Sequence, residues 1–233
     1  MRLKTSPVIT QSCRTLALAL LCAGIGFAAH AAETLQDTLK RAAELERAED
    51  YPAALKAYKS AAENASESSE AWAALGEHLR FYTHDYPAAE AAFNKSLHAE
   101  KQVPRAAAYA WRGLGELEIK NNRPGNAIEN FQKSAAVFPL ADTYRSLCHL
   151  YCVQRQFKAA SDAARRAVEL EPDDAIARLL YAAQLHRAGE PEKARAEFQQ
   201  ALASSGLSPT GEAAGPVHCC ILYNAAGYLS VCG

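Results

Sequence analysis

Small and aromatic residues recur along the chain at a spacing of four, which places two side chains on one face of a helix. No convincing stretch alternates apolar and polar residues as a strand does, so the pattern predicts an all-α fold. Polar breaks with Pro separate the periodic stretches, and Pro suits the first turn of a helix. The pairs are Ala54–Tyr58, Ala89–Phe93, Ala127–Phe131 and Ala194–Phe198, with Ala160–Ala164 as a weaker copy, and the first residues of successive pairs lie 35, 38, 33 and 34 positions apart.

A second signature stands about thirteen residues before four of these alanines. It consists of a large residue followed by a small one, with an aromatic residue three positions earlier in three of the four copies. The copies are Leu75-Gly76, Leu114-Gly115, Leu147-Cys148 and Tyr181-Ala182, and the aromatic residues are Trp72, Trp111 and Tyr144.

Together the two signatures resemble the tetratricopeptide repeat, whose period is about 34 residues, over roughly residues 35–207. The resemblance implies a right-handed α-solenoid of about five helix-turn-helix units. The small residues let paired helices cross closely, and the aromatic residues fill the gap to the next unit. No unit can bury its apolar face alone, so stacking drives folding. The array spans about residues 33–207, with units at about 35–68, 69–105, 106–140, 141–174 and 175–207.

Two units depart from the repeat pattern. The first has Arg41-Ala42 where the Leu-Gly pair should stand, as expected of an end unit that faces water on one side. The step of 38 residues between Ala89 and Ala127 implies about four additional residues near HAEKQVPRAAA. We expect them in the connection before Ala106 or in a lengthened helix there.

The first 31 residues have the composition of a secretory signal peptide. Three basic residues and no acidic one precede the apolar run TLALALLCAGIGFAA, and Ala29-His30-Ala31 supplies small residues for a signal peptidase. We expect cleavage after Ala31 or one residue later, and hence a periplasmic or secreted protein that meets the membrane only transiently. A membrane anchor and a lipid-modified Cys22 are the alternatives; the run is short for a span and has no basic stop on its far side.

The C-terminal part, residues 208–233, reads as a loop followed by an apolar helix. Tyr223, Ala226-Gly227 and Ser230 repeat the spacing of a first helix, so this segment is either the start of an incomplete sixth repeat or a helix that docks elsewhere. In an oxidising compartment Cys232 is a candidate for a disulfide with Cys219 or Cys220.

Charge and motifs exclude several classes of function. The net charge is −1 and mixed in sign, which gives no indication of nucleic-acid binding. No nucleotide-binding loop, GxSxG, HExxH or CxxC motif is present, so we expect no enzyme activity, cofactor or metal. Cys148 and Cys152 lie one helical turn apart with His149 between them, and core packing is the expected role of Cys148. A small enzyme with a Cys/His site near His218 is the minor alternative.

The resemblance places partner binding in a groove lined by the first helix of each unit. Arg112 and Arg145 occupy equivalent positions and are expected about one repeat apart on one face, where they would hold a carboxylate or carbonyl of an extended peptide. Members that clamp a terminal carboxylate use Asn and Lys there, and this sequence lacks those Asn residues. Ion pairing, as between Arg112 and Glu116, is the alternative role. The groove candidates are Glu77, Arg80, Arg112, Glu116, Arg145, His149 and His186, and the other histidines, His78, His84 and His98, are expected at the surface or in the groove.

These features predict an exported scaffold that binds a protein or peptide and serves cell-envelope assembly or export. Two further hypotheses remain. The chain is the N-terminal periplasmic part of a larger outer-membrane exporter or receptor, or it assembles with copies of itself as a homo-oligomer.

Overall fold

The computed structural model describes residues 34–204, which form ten α-helices and no β-strand beyond one isolated bridge between Ser68 and Lys101. The predicted helical fold is therefore confirmed. The helices are α1 (Leu35–Arg47), α2 (Tyr51–Asn64), α3 (Ser69–His78, continued by a π-helical turn over Leu79–Thr83), α4 (Tyr86–His98), α5 (Pro104–Lys120), α6 (Pro124–Val137), α7 (Ala141–Val153), α8 (Phe157–Leu170), α9 (Ala175–Arg187) and α10 (Pro191–Ser204).

The same tight turn joins the two helices of each pair. One residue adopts the left-handed conformation there, and in four of the pairs the next N–H donates to a carbonyl five residues earlier, as in the Schellman motif. After the turn, Asp50 and Asp85 accept hydrogen bonds from the N–H groups of Ala53 and Ala88, and Pro52 and Pro87 occupy the first helical turn. The left-handed residues are Glu49, His84, Asn122, Arg155 and Gly189.

Each first helix packs on the second helix of its own pair, and α3, α5, α7 and α9 also pack on the second helix of the preceding pair. All five alanines of the first signature are fully buried at these crossings. Phe93 and Phe131 are fully buried as well, and Ala42 keeps a small, buried residue at the atypical position of the first unit. The small-residue positions therefore act as the contact points of neighbouring helices.

Aromatic rings fill the space that the glycines leave open. A Cβ atom added to Gly76 would lie 2.6 Å from Cδ1 of Phe93, and one added to Gly115 would lie 2.9 Å from Cε1 of Phe131. Gly113, which belongs to no sequence signature, is tighter still, because its added Cβ would lie 2.2 Å from Cζ of Phe93. The ring of Phe93 thus lies between α3 of its own pair and α5 of the next.

The additional residues of the third unit occupy both expected places. The connection over residues 99–103 is longer than its equivalents, and α5 has 17 residues where α7 and α9 have 13. Lys101 fixes this connection, since its N–H donates to the carbonyl of Glu67 at 2.7 Å and its carbonyl accepts from the N–H of Ser69 at 3.1 Å. The insertion therefore lengthens α5, which still packs on α4 and α6.

Cys148 packs in the core, as the sequence predicts, and forms no disulfide with Cys152. Burial, with the neighbouring Cys152, raises the pKa of the Cys148 thiol to about 12, so this thiol stays protonated at neutral pH.

Other predictions lie outside the described residues. They are the signal peptide over residues 1–31, the C-terminal segment 208–233 with His218, and the disulfide of Cys232 with Cys219 or Cys220. Among residues 34–204, no helix combines the length and the apolar character that crossing a bilayer requires.

We predict that Gly113→Ala destabilises the protein by about 1–3 kcal/mol. Ala is the better helix former by up to about 1 kcal/mol. The new methyl group would nevertheless meet the Phe93 ring, which cannot retreat because Gly76 approaches it as well. Urea unfolding measures the change. Gly125→Ala is the matched control, since nothing lies within 4 Å of its added Cβ. Equal stability of the two variants would contradict the packing described.

Candidate functional site

The first helices α1, α3, α5, α7 and α9 form a surface that we call the inner groove. Within this groove, α1, α3 and α5 enclose a cleft of about 470 Å³. Alanines of α3 and α5 form the floor, Leu39, Val103 and Tyr109 supply apolar and aromatic walls, and charged side chains stand at the rim. The lining residues are Gln36, Leu39, Lys40, Glu70, Ala73, Ala74, Glu77, Val103, Arg105, Ala106 and Tyr109.

An ion-pair network crosses the groove beside this cleft, and Arg112 is its centre. Nη2 of Arg112 donates to Oε2 of Glu77 at 2.7 Å, and Nη1 donates to Oδ2 of Asp142 at 3.1 Å. Glu116 Oε1 lies 3.7 Å from Nη1. One guanidinium therefore contacts carboxylates from α3, α5 and α7, and Arg112 as a whole is only 9% exposed.

Arg80 and Arg145 extend the network in both directions. Arg80 donates to Glu77 at 2.9 Å and also pairs with Glu116. Arg145 pairs with Asp142 and with Asp174, the residue that caps the start of α9. Three guanidinium groups and four carboxylates thus connect the second to the fifth helix pair.

Burial and charge oppose each other at the centre of the network. Burial disfavours the charged form of Arg112, but Glu77, Glu116 and Asp142 together outweigh it and raise the pKa of this guanidinium. Burial also raises the pKa of Glu116, and the attraction of Arg112 and Arg80 offsets the rise only in part. Arg112 therefore remains charged at neutral pH.

The network changes the interpretation of the predicted groove residues. Five of them, Glu77, Arg80, Arg112, Glu116 and Arg145, are brought together, and Arg112 and Arg145 share Asp142 as expected for one face. The geometry favours ion pairing over a guanidinium open to a ligand, because protein carboxylates already surround Arg112. His149 is exposed on α7 and His186 is half-buried on α9, and neither belongs to the network as described.

Three residues of this surface were not identified from the sequence. Asp142 precedes Arg145 by three residues, a spacing that signals an ion pair on a helix. Asp174 follows a Pro-Asp break, where a helix cap is expected. Tyr109 lies between two arginines, with Cζ of Arg112 and of Arg105 at 5.1 and 5.7 Å from its ring centroid.

A second cavity, which we call the aromatic pocket, adjoins the cleft and has a volume of about 270 Å³. The two cavities share Ala74 and Glu77 as lining residues. His78 was expected at the surface or in the groove, but it is buried: it is only 1% exposed, and its Nδ1 lies 2.6 Å from Oε1 of Glu46. The aromatic pocket is lined by Glu46, Tyr58, Ala74, Glu77, His78, Phe81 and Tyr82.

Arg112→Met should lower the free energy of unfolding by about 2–4 kcal/mol, because it leaves the carboxylates of three helices without their shared cation. Arg165→Met is the control. Arg165 pairs with Glu169 at 2.8 Å but is about half exposed, and such pairs contribute about 0–1 kcal/mol. Chemical denaturation of both variants measures the difference. If Arg112→Met cost no more than the control, the network would have no role in joining the helix pairs.

Known proteins support the repeat architecture. The sequence matches no curated protein. The structure is similar to that of pilF of Pseudomonas aeruginosa, with a TM-score of 0.65 and 15% identity over 84% of this chain and 83% of that one. It is similar to that of the type IV pilus biogenesis factor PilW, with a TM-score of 0.64 and 18% identity over 86% of this chain and 88% of that one. YrrB, a tetratricopeptide repeat protein with an unusual peptide-binding site, gives a TM-score of 0.51 and 18% identity over 83% of this chain and 93% of that one. At such identities the likeness concerns the fold alone. A family model described as "Tetratricopeptide repeat" matches residues 78–142 and 149–211, more than half of the chain, and the chain therefore belongs to the tetratricopeptide repeat family.

Proposed function

We propose that this protein is an exported scaffold of the cell envelope that binds an extended segment of a partner protein in its inner groove. The observation that carries the proposal is the cleft between α1, α3 and α5. Alanines form its floor and apolar residues its walls, so an apolar side chain of a peptide would fit between them. The charged residues at its rim would fix the orientation of the peptide.

Two further observations support the proposal. YrrB, which shares the fold, is described as having a peptide-binding site, and PilW, which shares it as well, is described as a type IV pilus biogenesis factor. The basic and then apolar sequence of residues 1–31 favours export. Export and the binding of an envelope partner together define the proposed role.

In this proposal the groove residues divide into two groups. Leu39, Val103 and Tyr109 would contact the bound segment, because they form the walls of the cleft. Arg112 and Arg145 would act indirectly, by keeping successive first helices at a fixed separation. Binding therefore needs no rearrangement of the network, and a preformed groove loses little conformational entropy when it binds.

We predict that Val103→Asp weakens peptide binding by about tenfold or more, because it replaces an apolar wall with a charge that the peptide would have to desolvate. A random peptide library displayed on phage, selected on the purified protein, supplies the ligand, and fluorescence polarisation measures its affinity. Val137→Asp is the matched control, since Val137 is similarly exposed, 43% against 38%, but lies at the end of α6 outside the cleft. Equal affinities of the two variants would place the binding surface elsewhere.

Export has a separate test. Mass spectrometry of the protein isolated from its native cells should find a chain that begins at Ala32 or Glu33. Fractionation should recover it outside the cytoplasm. An Ala31→Arg variant should yield no chain that begins at Ala32, because signal peptidase requires a small residue directly before the cleaved bond. An intact N-terminus on cytoplasmic wild-type protein would contradict export while leaving groove binding open to its own test.

A further inference from the structure

The aromatic pocket combines rings and carboxylates in a way that the proposed groove function does not use. The ring centroids of Tyr58 and His78 lie 5.3 Å apart, those of His78 and Tyr82 lie 5.2 Å apart, and Phe81 lies edge-on to Tyr82 at 5.3 Å. His78 is the buried member, whereas Phe81 and Tyr82 are 61% and 37% exposed. The pocket therefore runs from solvent-exposed rings to a buried imidazole.

Two residues that line this pocket, Glu77 and His78, each carry a buried polar atom without a hydrogen-bond partner. Because a carboxylate only accepts, the 2.6 Å contact between Glu46 and His78 requires the proton on Nδ1 of His78. In the neutral ring Nε2 is then an acceptor, and it is buried and makes no hydrogen bond. Oε1 of Glu77 is likewise buried without a partner, since Arg80 and Arg112 both contact Oε2. An unpaired buried acceptor is unfavourable, and a ligand that donates a hydrogen bond would satisfy it.

The electrostatics of the pocket favour a cation. Its lining includes the carboxylates of Glu46 and Glu77 and no Lys or Arg, and Glu77 also pairs through Oε2 with Arg80 and Arg112 outside the lining. Burial first and then the charge of Glu46 raise the pKa values of Tyr58 and Tyr82. Cζ of Arg80 lies 5.5 Å from the ring centroid of Phe81, so one of these rings already attracts a cation.

The arrangement of acceptors distinguishes between two cation types. A guanidinium prefers a carboxylate whose two oxygens can both accept. Neither carboxylate offers such a pair, because Glu46 Oε1 is occupied by His78 and Glu77 Oε2 by two arginines. Separate single acceptors, Nε2 of His78 and Oε1 of Glu77, suit the three diverging N–H groups of an ammonium.

We propose that the aromatic pocket binds an alkylammonium group. The group could belong to a lysine side chain of the segment bound in the groove, or to a free amine. The first source rests on the proposed function and is favoured by the geometry, since the pocket and the cleft share Ala74 and Glu77. A lysine next to the apolar anchor residue would then enter the pocket.

The probe for this pocket is n-butylammonium, titrated into the purified protein and followed by NMR shifts of the tyrosine rings. Saturable binding in the millimolar range is expected, with 1-butanol, a neutral molecule of the same chain length, binding at least about fivefold more weakly. Tighter binding of n-butylguanidinium would overturn the choice of an ammonium. The absence of saturable binding by n-butylammonium would overturn the proposal as a whole.

Two variants locate the binding. Glu46→Gln keeps an oxygen that accepts from His78 but removes the charge, and Tyr82→Ala removes an exposed ring; each should weaken n-butylammonium binding by about five- to tenfold. Phe157→Ala is the control, because Phe157 is an exposed ring that also contacts an arginine, Arg187, on distant helices. Thermal melts followed by circular dichroism verify that all three variants fold. Equal losses in all three would overturn the assignment to this pocket.

A library-selected peptide that contains lysine separates the two sources. If acetylation of the lysine weakens the peptide by about tenfold or more and Glu46→Gln abolishes this difference, the peptide lysine occupies the pocket. If acetylation has no effect while n-butylammonium still binds, the ligand is a free amine. Loss of peptide binding in Val103→Asp, with no binding of n-butylammonium, would retain the groove function and reject the pocket.

Discussion

Close contact between aromatic rings and backbone holds this structure together. The ring of Phe93 lies where neither Gly76 nor Gly113 has a side chain, so three helices from two pairs meet at one side chain. Burying a ring of this size contributes about 2–3 kcal/mol, but the contact also sets how far apart α3 and α5 lie. Since these helices form the groove, the width of the cleft follows from packing on its opposite side.

The ion-pair network acts on the same helices from the groove side. Its charges are partly desolvated, and a buried ion pair is weak evidence for stability, because the desolvation of both partners offsets much of their attraction. Its contribution is more specific. A guanidinium that contacts carboxylates on α3 and α7 is satisfied at one separation of those helices, whereas apolar packing tolerates small shifts. The rings thus bring the helices together, and the network fixes their register.

The sequence predicts the helix pairs and their contact points well, because both repeat with the period of the fold. Ala89, Phe93 and Gly115 were identified in this way and are buried as expected. Gly113 was missed because its role depends on the neighbouring pair and has no copy elsewhere in the chain. A contact that recurs with the repeat period can be recognised from the spacing of residues, whereas a contact that occurs once, such as that of Gly113, cannot.

The candidate site was less predictable for the same reason. The position of Arg112 in the groove could be inferred, but its partners Glu77 and Asp142 lie 35 and 30 residues away along the chain. Which carboxylate meets which arginine depends on the register between pairs, which the repeat pattern leaves undetermined. His78 shows the same limit, since only the contact with Glu46 of the preceding pair explains a buried histidine.

The ion pairs of the groove arginines bear on the kind of ligand that the proposed groove would accept. Arg112 already has three carboxylates, so a peptide carboxylate would have to displace one of them. The displaced carboxylate would keep only its pairing with Arg80 or Arg145 and lose part of the attraction that offsets its desolvation. The unpaired acceptors of Glu77 and His78 create no such cost for an incoming donor. An arginine-rich groove would ordinarily indicate an acidic ligand. Here the Nη groups of Arg80 and Arg112 already pair with carboxylates of the protein, while their buried Nε groups make no hydrogen bond. The acceptors of the aromatic pocket that lack a partner favour a basic ligand.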